Sequence, residues 1–360
     1  PSLLAGAKRI KISGEASGPS ARFLAYIAAS PVRRMVGGLT DDVRATGEGS
    51  LKLKLELPVA ELKASKVDGD FRFADNTVDL GHQLPPVEQA AGRVQFTESS
   101  FKLSDARGRM LGGPVSFSGG SAAGKGVQID ARGTADVAGL TGLMGSPWNS
   151  RISGTLAYDA RVTAAEGRAQ LAVESRLVGV KSALPAPLDK AAGDALPLRV
   201  EIATSDGELR ERISISLGGR LVAEFERRLE GAAMALRRAS IEFGPTPGRA
   251  LRVPERPGIL LYGSLAALDL DSWRALFPES GAGPGPTTLD LTLGTLDAFG
   301  KRLNDVTLRG NTDTGGWSAN VRSAEITGDL DYRTAGGGKL VARLGRLRIP
   351  DDAPGAASEP

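Results

Sequence analysis

The stretch Leu51-Lys52-Leu53-Lys54-Leu55-Glu56-Leu57 places leucine at every second position and a charge at every position between. Side chains alternate across a strand, so this segment carries one apolar face and one wet face. The same period of two recurs over residues 67–73, 93–96, 101–103, 127–131, 151–162, 198–202, 212–217, 221–225, 241–243, 289–293, 306–308 and 317–326. Regular alternation predicts an antiparallel sheet with one apolar side and one solvated side. The apolar set begins with Leu51, Leu53, Leu55 and Leu57, then Val67, Phe71 and Phe73, then Val94, Phe96, Phe101 and Leu103. It continues through Val115, Phe117, Val127, Ile129, Ile152, Leu156 and Tyr158. Val200, Ile202, Ile213, Ile215, Leu217, Leu289, Leu291 and Leu293 complete it.

Three segments break the alternation. Residues 20–29, ahead of Pro31, have helical spacing, and residues 137–144 and 270–277 read as shorter helices. Ahead of each lies an apolar strand ending near a glycine, namely Gly14, Gly133 or Gly263, and a fresh alternating strand follows near Leu51, Ile152 or Leu289. This predicts a weak internal repeat of one helix and about five or six strands, longer than the usual solenoid or propeller period. The expected units are residues 1–134 with a helix near 20–36, residues 135–267, and a partial unit over 268–349. Residues 350–360, rich in Pro, Ala and acid, read as a flexible linker or tail.

Composition agrees with a β protein of many turns. Glycine occurs 47 times in 360 residues, well above the usual share of about 7%. Hydrophobic residues at 41% and charged residues at 24% describe a folded chain. Its 45 basic and 42 acidic residues leave a net charge of +3, too little for a nucleic-acid binder. Cysteine is absent from the sequence, which removes disulfides, thiolate metal sites and cysteine nucleophiles. No apolar run is long enough to cross a bilayer. The opening Pro1-Ser2-Leu3 has neither Met nor a signal pattern, so the chain reads as an excised segment with any anchor outside it.

Catalytic chemistry does not assemble. His82 is the single histidine and precedes Gln83-Leu84-Pro85-Pro86, a loop sequence. Asp68 and Asp70 sit on the wet side of a strand, with Asp75-Asn76 expected to turn the chain, so these oxygens do not converge as a cation site would require. Gly336-Gly337-Gly338-Lys339 is followed by Leu340 rather than Ser or Thr and reads as a hairpin turn. The pairs Arg227-Arg228 and Arg237-Arg238 are interleaved with Glu224, Glu226 and Glu230, as on a solvated sheet face. No catalytic, cofactor or metal residue is expected.

Several stretches together resemble the YhdP family of AsmA-like proteins of Gram-negative bacteria. They are Gly49 to Pro58; Val67-Asp68-Gly69 with Phe71, Phe73, Asp75-Asn76 and Leu84-Pro85-Pro86; Gly92 and Phe96-Thr97-Glu98; and Leu111-Gly112-Gly113-Pro114. The most distinctive is Leu177-Val178-Gly179-Val180 with residues 184–193 (Leu-Pro-Ala-Pro-Leu-Asp-Lys-Ala-Ala-Gly) and Leu196-Pro197-Leu198. Trp317-Ser318-Ala319, Ile326 to Leu330 and Leu340 to Ile349 close the series. The resemblance implies an elongated curved antiparallel β-sheet forming an open hydrophobic groove, with three short helices covering or interrupting it. It also implies a periplasmic location within an inner-membrane-anchored protein that moves phospholipids toward the outer membrane, with acyl chains as the ligand, no cofactor and no nucleic acid. The apolar set above is then the candidate lining of that groove. The residues alone leave two further readings open: a structural or adhesive β-solenoid, and a closed β-sandwich binder, because an inward leucine looks the same against a lipid as against another sheet.

Overall fold

Leucine, valine and phenylalanine at alternate positions suit a pleated surface buried on one side, and the alternating stretches form strands. The computed structural model describes residues 9–29, 43–58, 65–81, 84–122, 126–144, 150–165, 168–205, 210–231, 233–276 and 285–348. His82, residues 30–36 of the expected first helix and the tail 350–360 lie outside the described residues. The chain divides into two compact units, Pro1–Leu140 with Thr155–Ser175 and Ala203–Asp206, and Thr141–Gly154 with Arg176–Ile202 and Gly207–Pro360.

The first unit contains β1 (Arg9–Pro19), α1 (Ser20–Ala29), β2 (Arg44–Pro58), β3 (Lys66–Asp79), β4 (Val87–Thr97) and β5 (Phe101–Met110). It continues with β6 (Gly113–Ala122), β7 (Gly126–Asp136), the first half of α2 (Val137–Met144), most of β8 (Ile152–Ala165) and β9 (Arg168–Ser175). Consecutive strands from β1 through β9 pair antiparallel, β1 with β2 up to β8 with β9. The helices start on the residue that follows a strand. Asp136 Oδ1 accepts the Ala138 N–H at 2.9 Å and so caps α2.

The second unit contains β10 (Val180–Ser182), the start of β11 (Leu198–Ser205), β12 (Arg210–Leu217), β13 (Leu221–Glu230), β14 (Ala233–Phe243) and β15 (Gly258–Asp269). Next are α3 (Leu270–Leu276), β16 (Thr287–Ala298), β17 (Lys301–Asp313), β18 (Gly316–Arg322), β19 (Ile326–Arg333) and β20 (Lys339–Leu347). Strands β12 to β14 and β16 to β20 pair antiparallel in order. Strand β15 is parallel to both β14 and β16. Neither unit closes into a barrel: β1 pairs with β2 and β20 with β19, each with no strand on its other edge among the described residues.

Four local expectations are corrected. The sheet is not antiparallel throughout, because β15 runs parallel to both of its neighbours, a pairing that a tight hairpin cannot make. Gly14, Gly133 and Gly263 do not end their strands, which run on to Pro19, Asp136 and Asp269. Asp75-Asn76 is not a turn but an irregularity inside β3, where Asp75 takes φ 56° and the register to β4 shifts. The run 317–326 is two strands, separated where the Ser323 hydroxyl accepts the N–H groups of Glu325 and Ile326 at 3.1 and 2.9 Å.

Candidate functional site: the apolar face

Register converts alternation into rows that run across the strands. In the first unit one row reads Leu51, Phe71, Val94, Leu103, Gly119, Ile129, Val162 and Leu171, from β2 through β9. The row beside it reads Leu53, Gly69, Phe96, Phe101, Ser121, Val127, Ala164 and Ala169. Strands lie about 4.8 Å apart, so each row extends for roughly 34 Å. In the second unit a row passes through Ile215, Ala223, Ile241, Leu261, Leu289, Gly310, Ala319, Leu330 and Ala342, from β12 to β20. Neither the Leu51 row nor the Ile215 row contains a polar side chain.

Aromatic rings on this face lie across neighbouring strands rather than standing up from the sheet. The Phe71 ring covers Gly49, the Phe96 ring covers Gly69, and Phe73 reaches over Gly92; a Cβ at Gly49 or Gly69 would overlap the ring above it. Glycine is needed there for close approach, not for its backbone freedom.

Helices cover parts of the same face. In α1, the Phe23 ring packs tilted against Phe71, with centroids 5.0 Å and planes 55° apart, and Phe71 stacks on Phe73 at 5.9 Å. The Asn76 Nδ2 donates to the Ser20 hydroxyl at 2.6 Å, both residues buried, while Asn76 Oδ1 has no partner among the described residues. In the second unit α3 covers a closed cluster of Leu291, Leu293, Leu296, Leu303, Val306 and Val321, against which Leu270 packs. Val306 is 0% and Leu293 1% exposed. The Asp271 carboxylate accepts the N–H groups of Phe299 and Gly300 at 2.8 Å each, and Trp273 Nε1 donates to the Ala186 carbonyl at 3.0 Å.

The opposite face is laced with ion pairs. Arg93 grips Asp70 through two hydrogen bonds of 2.9 and 2.5 Å, and Arg161, Arg132 and Arg238 pair with Asp130, Asp159 and Glu226. The Arg93 hydrogen bonds hold the Asp70 carboxyl below its usual range, and Arg252, then Arg309, do the same for Asp290. Residues 244–257, crossing from β14 to parallel β15, lie on this side. There Arg252 stacks on the Tyr262 ring at 4.8 Å, and Tyr262 Oη donates to buried Glu242 at 3.0 Å. Burial is the main cause that pushes the Tyr262 phenol up.

The candidate lining residues divide by surroundings. Leu51, Leu53, Leu55, Leu57, Val67, Phe71, Phe73, Val94, Phe96, Phe101, Leu103, Phe117 and Ile129 are half-buried on the first unit's apolar face. Val115, Val127, Leu156 and Tyr158 are buried there, with burial raising the Tyr158 phenol pKa. Ile152 is half-buried in the three-residue stretch of β8 that pairs with β10. Val200 and Ile202 are half-buried in β11, alternating with the paired Arg199 and Glu201. Ile213, Ile215, Leu217 and Leu289 are half-buried in the second unit, whereas Leu291 and Leu293 belong to its closed cluster.

Sequence reasoning missed Gly49, Gly69 and Gly92 as floor positions, Phe23 as a cover, and the stacked pair Trp317 and Tyr332, 5.9 Å apart. Register would have found them, since each glycine stands opposite an aromatic or leucine of the next strand. It also missed that the 184–193 signature is a folded clip. Buried Lys190 Nζ donates to the carbonyls of Val180 and Ala191 at 2.8 Å each, and Arg220 donates to those of Pro187 and Asp189.

Among the described residues no helix is long and apolar enough to cross a membrane. A curated relative, the intermembrane phospholipid transporter YhdP of Escherichia coli (strain K12), is 23% identical over 345 residues, which cover 91% of this chain and 26% of the relative. The chain thus spans about a quarter of the length of the curated relative it matches. The sequence profile described as YhdP protein matches residues 1–360, and on that match the chain belongs to the YhdP family.

Proposed function

We propose that the apolar face is a length of lipid conduit: a surface along which phospholipid acyl chains slide while head groups stay in water. The observation that carries this is the uninterrupted apolar row from Leu51 to Leu171, with its strand-end neighbours left half-buried rather than packed shut. A two-tailed phospholipid exposes on the order of 30 methylenes at about 0.8 kcal/mol each when it leaves a bilayer, so roughly 25 kcal/mol opposes escape. A continuous apolar surface removes most of that opposition without recognising any head group.

The relative's printed role supports the phospholipid as cargo. We place the chain in the periplasm, as part of an inner-membrane-anchored protein that conducts phospholipids toward the outer membrane and so maintains its barrier; the reading includes no catalytic step and no cofactor. Each helix that follows directly on a strand, at Ser20, Val137 and Leu270, would mark one repeat of the conduit.

The test is extraction of the purified, folded chain and mass spectrometry of its lipids. Phospholipid of mixed head group is expected. A folded preparation free of lipid, or loaded with one head group alone, contradicts a nonselective conduit.

A further inference from the structure

The apolar face of the second unit has a built direction across its width. Val321 is buried in the closed cluster, Ala319 follows on the same side of β18, and Trp317 follows Ala319. On β16 the same sequence of steps runs from buried Leu291 through half-buried Leu289 to Thr287. Register joins the outermost positions into one row, Thr287, Thr312, Trp317 and Tyr332. Two residues along a strand cover about 7 Å, so some 14 Å separates the dry cluster from this row.

The outer row is amphipathic in a specific way. Trp317 and Tyr332 stack with ring centroids 5.9 Å apart and planes 25° apart. The Thr312 hydroxyl oxygen accepts the Thr287 N–H at 3.2 Å, and the Thr287 hydroxyl donates to the Gly285 carbonyl at 3.2 Å. Neither the Trp317 indole N–H nor the Tyr332 hydroxyl has a hydrogen-bond partner among the described residues. Rings with an apolar body and an unpaired polar tip fit a boundary where one side is hydrocarbon and the other is wet.

Resting on the conduit reading above, we infer that the Thr287, Thr312, Trp317 and Tyr332 row is a seat for the ester and glycerol zone of a two-chain phospholipid. The acyl chains point inward over Leu289 toward Leu291, and the phosphate lies outward past the rings. The indole N–H and phenol O–H then donate to ester or phosphate oxygens in place of water. The seat fixes which way round the lipid travels in this unit while leaving the head group itself unread.

Tryptophan quenching tests the orientation. The folded chain is loaded with phospholipid whose acyl chains carry bromine either near the ester or near the methyl end. The fluorescence of Trp317 is obtained by subtracting the Trp317→Phe variant, with Trp317→Tyr as a second subtraction in case the first folds poorly. Bromine near the ester is expected to quench the Trp317 component about two-fold more than bromine near the methyl end, given the separation along β18. Equal quenching, the reverse order, or no quenching with lipid bound overturns the seat and leaves the conduit standing. Failure of the folded chain to take up either lipid removes the conduit and the seat together.

Discussion

Gly69 lies beneath the Phe96 ring on the apolar face, and any Cβ there would overlap that ring. Gly69→Ala is therefore expected to tip Phe96 out of the sheet plane into the path of acyl chains, lowering lipid loading at a stability cost of about 1 to 3 kcal/mol for overpacking. Removing the ring as well, in Gly69→Ala with Phe96→Ala, should restore loading. Mass-spectrometric lipid content beside thermal unfolding checks this, and a double variant as lipid-poor as the single one would show that the ring is not the obstacle. On the wet side of β3, Asp70 makes a different contribution. Its carboxyl is held below the usual range by the Arg93 hydrogen bonds, so the pair stabilises the fold above the ordinary carboxylate pKa. That stability is lost as pH falls through the lowered value of the folded state. Acidification should lower Tm, and Asp70→Asn should lower it less steeply over the same range. Parallel Tm curves for the two proteins would remove Asp70 from the account.

Helices α1 and α3 both lie on apolar surface but are fastened differently. The described part of α1 is half-buried or exposed after Ser20, held by the Phe23 ring on Phe71 and by the Ser20 to Asn76 hydrogen bond. Asn76 Oδ1 is buried without a partner among the described residues, which weakens that anchor. By contrast, α3 buries Leu276, caps itself through Asp269, and is tied by Asp271 and Trp273 to two other segments. Hydrogen exchange should therefore be faster in α1 than in α3, and Phe23→Ala should speed α1 further without changing α3. Equal protection of the two helices would contradict α1 as a loosely held cover. The existence of these helices was legible in the sequence because 3.6-residue spacing interrupts a period of two. Their fastenings were not, since Trp273 meets Ala186 and Phe23 meets Phe71 across separations that no local pattern encodes. The parallel position of β15 was illegible for the same reason: a strand flanked by long connections alternates like any other.

At the scale of the whole molecule, alternation in segments such as Leu51 to Leu57 specified the faces, and the ion pairs of Asp70 and Arg93 or Asp130 and Arg161 lie opposite the leucines as that pattern requires. What alternation could not specify was how far the apolar side is covered, because Leu289 and Leu293 carry the same side chain on the same strand and only one of them is closed in. On the proposed conduit reading that difference matters, because a conduit works in series whereas separate binding pockets work in parallel. Val94 and Val162 occupy one row of the first unit with four strand spacings between them, about 19 Å at 4.8 Å each. An aspartate at either position puts an unpaired carboxylate on the apolar path, where desolvation opposes passage of chains. In the full-length protein, Val94→Asp and Val162→Asp should each stop most lipid flux, and the double variant should fall no more than about two-fold below the more severe single one, as two barriers in series do. Lipid bound at rest should instead fall stepwise, because each carboxylate clears only its own stretch of the row. Arg72→Asp, on the wet face of the same unit, should leave both quantities near the parent values. Unfolding by either valine variant would mean that the row packs against protein. Single variants that each leave a large share of the flux, with losses that add in the double variant and the fold intact, would mean that lipid crosses by independent routes and not along a single row.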